Sequence, residues 1–228
     1  MRNLFLVLFT VGCSLTALAQ EDLSFYFADA QPNGSRNLTS FPEAFRGEYI
    51  SKQDSLLKVT ITEDSIHVRL ISFVIMTLKE VKDAPGLRLK DSLLFGIYKD
   101  RPVEVIRKND TLIFGMETKY RMFAVSDTSV IRVCGNDLLL SSKDGNGKWT
   151  VMRISLIPRD GLKTPGVEFA YVDHDEQIKL IRSQKGLQRK QENGQTFLQL
   201  DLGYPDMQRF IEAGGFNMRQ SYFRTEYH

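Results

Sequence analysis

The sequence predicts a mainly β fold, in which an antiparallel meander forms a barrel or a sandwich and a small α+β C-terminal region with two helices follows. Apolar and polar side chains alternate over many short segments between Gly47 and Ile157, which is the period of a half-buried strand. The turns between these segments are too short for helical crossovers, so the strands should be antiparallel. Beyond Pro158, two segments with helix-capping and helix-ending residues interrupt the strands.

The first nineteen residues have the composition of a secretory signal peptide. Arg2 supplies a positive charge, Leu4–Val11 form a short apolar core, and Ala17-Leu18-Ala19 supplies the small residues of a cleavage site. This core is too short to span a bilayer as a helix. We therefore expect export across the inner membrane, with a periplasmic or secreted mature protein that has no transmembrane segment.

A second interpretation of the leader concerns Cys13. Thr10-Val11-Gly12-Cys13 resembles the site at which bacterial lipoproteins are cut and acylated on cysteine, although Thr10 stands where leucine is usual. We favour soluble export over a lipoprotein anchored through Cys13, because cleavage there would leave the alanine site without a role. Removal of the leader leaves Cys134 as the one cysteine, which excludes an internal disulfide.

Charge and motif content limit the function classes. The chain has 30 Lys and Arg against 28 Asp and Glu, and so balanced a chain is not expected to bind nucleic acid. His174 lies between Asp173 and Asp175, where a helix cap is a better explanation than a metal site that lacks further ligands. No catalytic or cofactor-binding motif occurs. We therefore expect a non-enzymatic protein without a cofactor or metal.

The meander is predicted over residues 41–158, after an N-terminal arm over residues 20–40 in which Ser24–Phe27 is a strand candidate. Leu57, Val59 and Ile61 alternate with polar residues in the first clear strand. Further strands are predicted at Ser65–Ile75, Ser92–Tyr98, Val103–Arg107, Thr111–Met116, Tyr120–Ala124, Ser129–Cys134, Asp137–Ser142 and Trp149–Ile157.

The predicted strand Ser65–Ile75 is apolar on both faces. Ile71, Phe73 and Ile75 lie on the face opposite to that of Ile66 and Val68. A barrel with something packed outside it, or a two-layer sandwich, would explain this pattern.

Residues 165–228 are predicted to follow the order βαββαβ. The helices are expected at Asp175–Gln184 and Pro205–Ala213, and strands at Val167–Val172, Thr196–Leu202 and Ser221–Tyr227. A polar hairpin around Glu192-Asn193-Gly194 leads into the strand Thr196–Leu202, and its other arm supplies the remaining strand. This order suits a small split-βαβ domain, but the two helices could equally cover the preceding sheet.

A short motif, Asp followed by Ser or Thr and an apolar residue, occurs four times. Asp commonly ends a turn before a strand, which explains the motif without modification. The motif also resembles the O-glycosylation site that some envelope-rich bacteria use on exported proteins. The candidate acceptors are Ser55, Ser65, Ser92 and Thr111.

The start of the meander carries a family resemblance. Phe41-Pro42-Glu43-Ala44-Phe45-Arg46-Gly47-Glu48-Tyr49, followed by antiparallel strands, resembles the first strand of lipocalin-like (calycin-type) β-barrel proteins. In that family a short turn precedes a Gly-x-Trp motif, and here Tyr49 stands in the position of the tryptophan. The resemblance implies a barrel that binds a small apolar ligand.

Strand alternation supplies the candidate lining of such a barrel. The residues are Tyr49, Val59, Ile61, Val68, Leu70, Phe95, Phe114, Met122 and Val151. Each of them would serve equally well as plain core. The sequence thus leaves two functions open: a carrier of a small hydrophobic ligand, and an envelope interaction or structural protein that acts through its surface on another envelope protein.

Overall fold

The structure, a computed structural model, describes residues 24–158 and 165–225. The strands are β1 (Ser24–Phe27), β2 (Gly47–Ser51), β3 (Leu57–Ile61), β4 (Ser65–Thr77), β5 (Arg88–Lys90), β6 (Leu93–Phe95), β7 (Val103–Glu104), β8 (Ile106–Lys108), β9 (Thr111–Ala124), β10 (Ser129–Cys134), β11 (Asp137–Lys143), β12 (Trp149–Ile157), β13 (Gly166–Tyr171), β14 (Leu187–Glu192), β15 (Gln195–Leu200) and β16 (Met218–Arg224). The helices are α1 (Leu78–Asp83), α2 (His174–Arg182) and α3 (Tyr204–Glu212). The predicted signal peptide, with Cys13, lies outside the described residues.

The mainly β prediction is confirmed. Most strands belong to one sheet, whose antiparallel neighbours follow the order β10-β11-β12-β13-β16-β2-β3-β4-β9-β8. The hairpin β14-β15 joins this sheet through β1, which runs parallel to β15 and meets β12 at the pair Phe27–Trp149. A separate small sheet has the order β5-β6-β7.

The main sheet curls around one hydrophobic cluster, which we call the barrel core. Its residues are Phe41, Phe45, Tyr49, Val59, Ile61, Ile66, Val68, Phe123, Ile131, Leu138, Leu140, Met152, Ile154, Val167, Phe169 and Tyr222. These side chains come from both halves of the sheet, so the two halves face each other across the core. The sheet is not a closed barrel, because β9 and β10 are not joined by a ladder in the described chain.

The outward side of β10–β13 carries a second cluster, the helix-covered core. Its residues are Phe27, Ala30, Val130, Cys134, Leu139, Trp149, Val151, Ala170, Ile181, Leu198, Leu200, Leu202, Met207, Phe210 and Phe216. Helices α2 and α3 contribute the buried side chains Ile181, Met207 and Phe210 to it. The predicted order βαββαβ occurs over β13–β16, but β13 and β16 pair with strands of the meander, and the helices pack on its outer side.

The start of the first core strand is shaped by Gly47. Its φ of 144° lies in a region that favours glycine, and a side-chain carbon there would come 2.8 Å from Nε of Arg224. The Arg224 guanidinium donates to the carbonyl oxygen of Arg46 and lies 5.7 Å from the centre of the Tyr49 ring. Tyr49 is fully buried, and its hydroxyl donates to the carbonyl of Phe45 at 2.8 Å.

Two local predictions need correction, and one helix was not predicted. The predicted strands Thr111–Met116 and Tyr120–Ala124 are one strand, β9, because β4 pairs with it without interruption at the intervening residues. The predicted strand Val103–Arg107 is broken at Val105, whose N–H donates to the carbonyl of Ser92. Helix α1 was not predicted, although Thr77 and Glu80 form a capping box at its start.

Candidate functional site

Strands β4 and β9 form a long two-stranded ribbon that extends beyond the barrel core. The strands have 13 and 14 residues and pair from Ser65–Ala124 to Thr77–Thr111. Directly paired residues of an antiparallel ladder point to the same side of the sheet. Ile71, Phe73 and Ile75 therefore share one side with their partners on β9.

We call this side the ribbon face. Its residues are Arg69, Ile71, Phe73 and Ile75 of β4, Ile113, Gly115, Glu117 and Lys119 of β9, and Ile106 of β8, which pairs with Ile113.

The ribbon face is apolar and open to solvent at its outer end. Phe73, Ile75 and Ile106 are 66%, 70% and 71% exposed, and Ile113 is partly buried. Adjacent apolar side chains with this exposure are unusual for a surface and typically mark a binding site. The sequence pattern of Ile71, Phe73 and Ile75 predicted a covered outer side. Among the described residues, Phe73 and Ile75 are nevertheless mostly exposed.

The other side of the ribbon is packed. A cluster that we call the ribbon core consists of Val81, Leu94, Val103, Val105, Leu112 and Phe114. It joins the small sheet and α1 to the ribbon, with Val74 and Met76 of β4 packed against it. One side of the ribbon is therefore fixed by packing, which holds the exposed side rigidly.

An apolar cleft of about 370 Å³ lies on the ribbon face. Phe73, Ile106 and Ile113 border it from the ribbon face, and Ser92, Glu104, Val105 and Phe114 complete its lining. Gly115 lies in its floor and contributes only backbone there. Small-molecule sites have volumes of about 300–1,000 Å³ and are lined mainly by apolar groups, so this cleft is at the small end of that range.

A polar cleft of about 300 Å³ adjoins the apolar one. Arg69, Tyr98, Arg101 and Glu117 line it, and it shares Gly115 and Glu104 with the apolar cleft. We call the two clefts together the outer groove. The groove thus has a charged end toward the barrel core and an apolar end toward the tip of the ribbon.

Glu117 organises the charged end. Its carboxylate accepts hydrogen bonds from Arg69 and, at 3.2 Å, from Arg101, and Lys119 lies 3.3 Å away. The hydrogen bond from Arg69 is the main reason that the pKa of Glu117 falls to about 2. Lys119 also lowers this pKa, whereas partial desolvation raises it. The carboxylate is therefore ionised at neutral pH and is surrounded by three cations.

Tyr98 anchors the wall of the charged end. Its hydroxyl accepts from the N–H of Glu117 at 2.7 Å and donates to the carbonyl of the same residue at 3.3 Å. The Arg101 guanidinium lies 4.7 Å from the centre of the Tyr98 ring. These contacts hold the 98–104 segment against the edge of β9 and fix the position of Arg101.

Comparison of the chain with known protein families, curated proteins and solved structures gives no match. Over residues 24–158 and 165–225, no helix has the length and apolar character needed to cross a membrane. Within the same residues, no three His, Cys, Asp or Glu side chains are grouped so that they could hold a metal ion. The outer groove is the feature of the described chain from which we argue function.

The sequence-predicted lining residues do not all meet. Tyr49, Val59, Ile61 and Val68 lie together in the barrel core, and Met122 packs at its margin. Phe114 belongs to the ribbon core and Val151 to the helix-covered core. Leu70 is partly buried on the ribbon, and Phe95 lies under the guanidinium of Arg88 at 5.1 Å.

The four candidate acceptor sites differ in accessibility. Ser55 and Ser92 are exposed, and Thr111 is partly buried at the tip of the ribbon. Ser65 is buried, and its hydroxyl donates to Asp64 at 2.9 Å and lies 3.0 Å from Nε2 of His67. Ser65 therefore fastens the β3–β4 hairpin, and its hydroxyl is not free in the folded protein.

Proposed function

We propose that the chain is an exported, non-enzymatic protein that binds a small apolar ligand, and that the ligand lies in the outer groove. The observation that carries this proposal is the apolar cleft bordered by Phe73, Ile106 and Ile113. Covering these side chains removes apolar surface from water, which is favourable by about 25 cal/mol per Å². The packed ribbon core beneath the cleft provides a preformed site.

The barrel core is a poorer location for the ligand. Val59, Ile61 and Tyr49 are at most 2% exposed and belong to one packed cluster. Packed interiors have few voids larger than a water molecule, so a ligand there would have to displace these side chains. The outer groove needs no such rearrangement.

A neutral apolar probe tests this proposal. Nile red should bind the wild-type protein, and Phe73→Ser should weaken binding at least about fivefold, because burial of a Phe side chain is worth about 1.5–3 kcal/mol. Met218→Ser is the matched control, since Met218 is 55% exposed at a distant strand. Equal binding by wild type and Phe73→Ser would contradict the proposal.

The alternative function is interaction with an envelope protein through the same face. Phe73, Ile75 and Ile106 are 66–71% exposed on neighbouring strands, so their apolar surface is also available to a partner protein. Lys58, Arg69 and Lys119 form a row across three strands beside it. A complementary partner would therefore present apolar side chains next to carboxylates.

Site-specific photo-crosslinking tests the alternative. A photo-reactive residue at position 73 should crosslink to one envelope protein through an apolar and acidic surface of that partner. The yield should fall as the salt concentration rises. A photo-reactive residue at position 218 should not capture this protein. Equal capture from both positions would contradict it. A concentration-dependent dimer that Phe73→Ser abolishes would identify a second copy of the chain as the occupant instead.

A further inference from the structure

We propose that the outer groove selects a single-chain amphiphile with an anionic head, bound by Arg69 and Arg101, and that its hydrocarbon chain lies along Phe73, Ile106 and Ile113. This inference rests on the proposed function, because it assigns the head group of the ligand that the apolar cleft would hold. The chemical class is a carboxylate or phosphate monoester on an unbranched hydrocarbon chain.

The two clefts meet at Gly115. Both are lined by Gly115 and Glu104, and a side-chain carbon on Gly115 would lie 3.2 Å from Cγ2 of Ile71. Gly115 contributes only backbone at this point, and the side chain nearest to it is that of Ile71, which borders the charged end. A ligand could therefore occupy both ends at once.

The charged end retains hydrogen-bond donors for an anion. Arg69 uses Nε, and Arg101 uses one Nη nitrogen, to reach the Glu117 carboxylate. A guanidinium has five N–H donors in a planar fork that matches a carboxylate or a phosphate. Each arginine therefore has further donors, and both side chains border the cleft.

The local charge also favours an anion. Arg69, Arg101 and Lys119 surround the single carboxylate of Glu117. Glu104 is an opposing carboxylate at the junction of the clefts and is exposed there. An anionic head is thus disfavoured at the junction and favoured at the Arg69–Arg101 end, which fixes the direction of the ligand in the groove.

The test compares ligands that differ only in the head. Decanoate, decyl phosphate and decanol are titrated into the full mature protein by calorimetry at neutral pH. We expect the two anions to bind about five- to tenfold more tightly than decanol, as charge-assisted hydrogen bonds at partly exposed arginines predict. The ratio of the affinities of the two anions shows whether the head is a carboxylate or a phosphate.

Charge-removing variants locate the head. Arg101→Gln and Arg69→Gln should each weaken decanoate binding and leave decanol binding unchanged, whereas Arg189→Gln, an exposed position on β14, should change neither. Arg101 is 57% exposed, so its replacement should preserve the fold, which thermal unfolding checks.

Each failure has a distinct meaning. Decanol binding as tightly as both anions, or an equal loss of decanol and decanoate binding in Arg101→Gln, would overturn the anionic-head inference and leave the proposed function standing. Absence of binding by all three compounds would overturn both. Binding to phosphatidylglycerol vesicles without binding to monomeric decanoate would replace the amphiphile with a membrane surface.

Discussion

Phe73 lies directly opposite Gly115 in the β4–β9 ladder. The aromatic side chain has no cross-strand side chain beside it, and the backbone of Gly115 forms the floor at which the two clefts meet. Cross-strand pairs are the units that normally fill a sheet surface. This Phe–Gly pair leaves the backbone of Gly115 without a side chain of its own at the point where the two clefts meet, next to the side chain of Ile71.

A side chain at position 115 should block the groove. Gly115→Val adds a branched side chain in the floor, and we expect Nile red and decanoate affinity to fall at least about fivefold. Stability should fall by about 1–3 kcal/mol, because the new side chain comes 3.2 Å from Cγ2 of Ile71. Gly145→Val is the matched control, since nothing lies within 4 Å of a side-chain carbon at Gly145. Calorimetry and urea unfolding measure both effects. Unchanged ligand affinity in Gly115→Val would contradict the location of the site.

The buried hydroxyl of Tyr49 should stabilise the start of the meander. Tyr49→Phe removes its 2.8 Å hydrogen bond to the carbonyl of Phe45, and we expect a loss of about 1–2 kcal/mol in the free energy of unfolding. Tyr204→Phe is the control, because the Tyr204 hydroxyl accepts from the N–H of Gly135 at a 41% exposed position. The loss of unfolding free energy in Tyr204→Phe should be smaller, about 0.5 kcal/mol. Equal losses in urea unfolding would contradict the role of burial.

The stability of the segment after β1 should depend on its hydrogen bond to Ser141. The hydroxyl of Ser141 accepts from the N–H of Gln31 at 3.0 Å, and both residues are fully buried. Ser141→Ala leaves that N–H without its partner and should cost about 1–3 kcal/mol. Ser142→Ala, on the next residue and partly exposed, should change stability by less than about 0.5 kcal/mol. Similar losses in both variants would show that the Gln31 contact contributes little.

The sequence predicts the parts of the fold that depend on local pattern. Strands β10 and β12 have the predicted bounds, because alternation and tight turns at both ends are local signals. The partners of β13 and β16 could not be predicted, because pairing between residues such as Val167 and Tyr222 leaves no mark in either segment.

The outer groove was missed for a related reason. Arg69, Arg101 and Glu117 converge from positions 16–48 residues apart, and ion pairs of this kind have no spacing signature. The apolar outer positions Ile71, Phe73 and Ile75 were visible in the sequence. Their pattern indicated burial on both sides of the strand, and only the structure distinguishes a covered side from an open one.

Glu117 should make stability depend on pH in the acid range. Its pKa in the folded protein is about 2, below the ordinary value of 4.5, chiefly because Arg69 donates a hydrogen bond to the carboxylate. Between these values the unfolded chain binds the proton more readily than the folded one. The stabilising contribution is therefore complete above about pH 4.5 and is lost as the pH falls toward about 2.

Comparison of wild type with Glu117→Gln isolates this effect. The difference in their free energies of unfolding should be constant above about pH 5 and should shrink as the pH falls through the window of about 4.5 to 2. Arg69→Gln removes the main donor, so the pKa of Glu117 in the folded protein should rise toward 4.5 and the pH window should become narrower. Urea unfolding at a series of pH values measures the difference. A gap between wild type and Glu117→Gln that is the same at about pH 3 and about pH 7 would show that the arginines do not hold this carboxylate ionised.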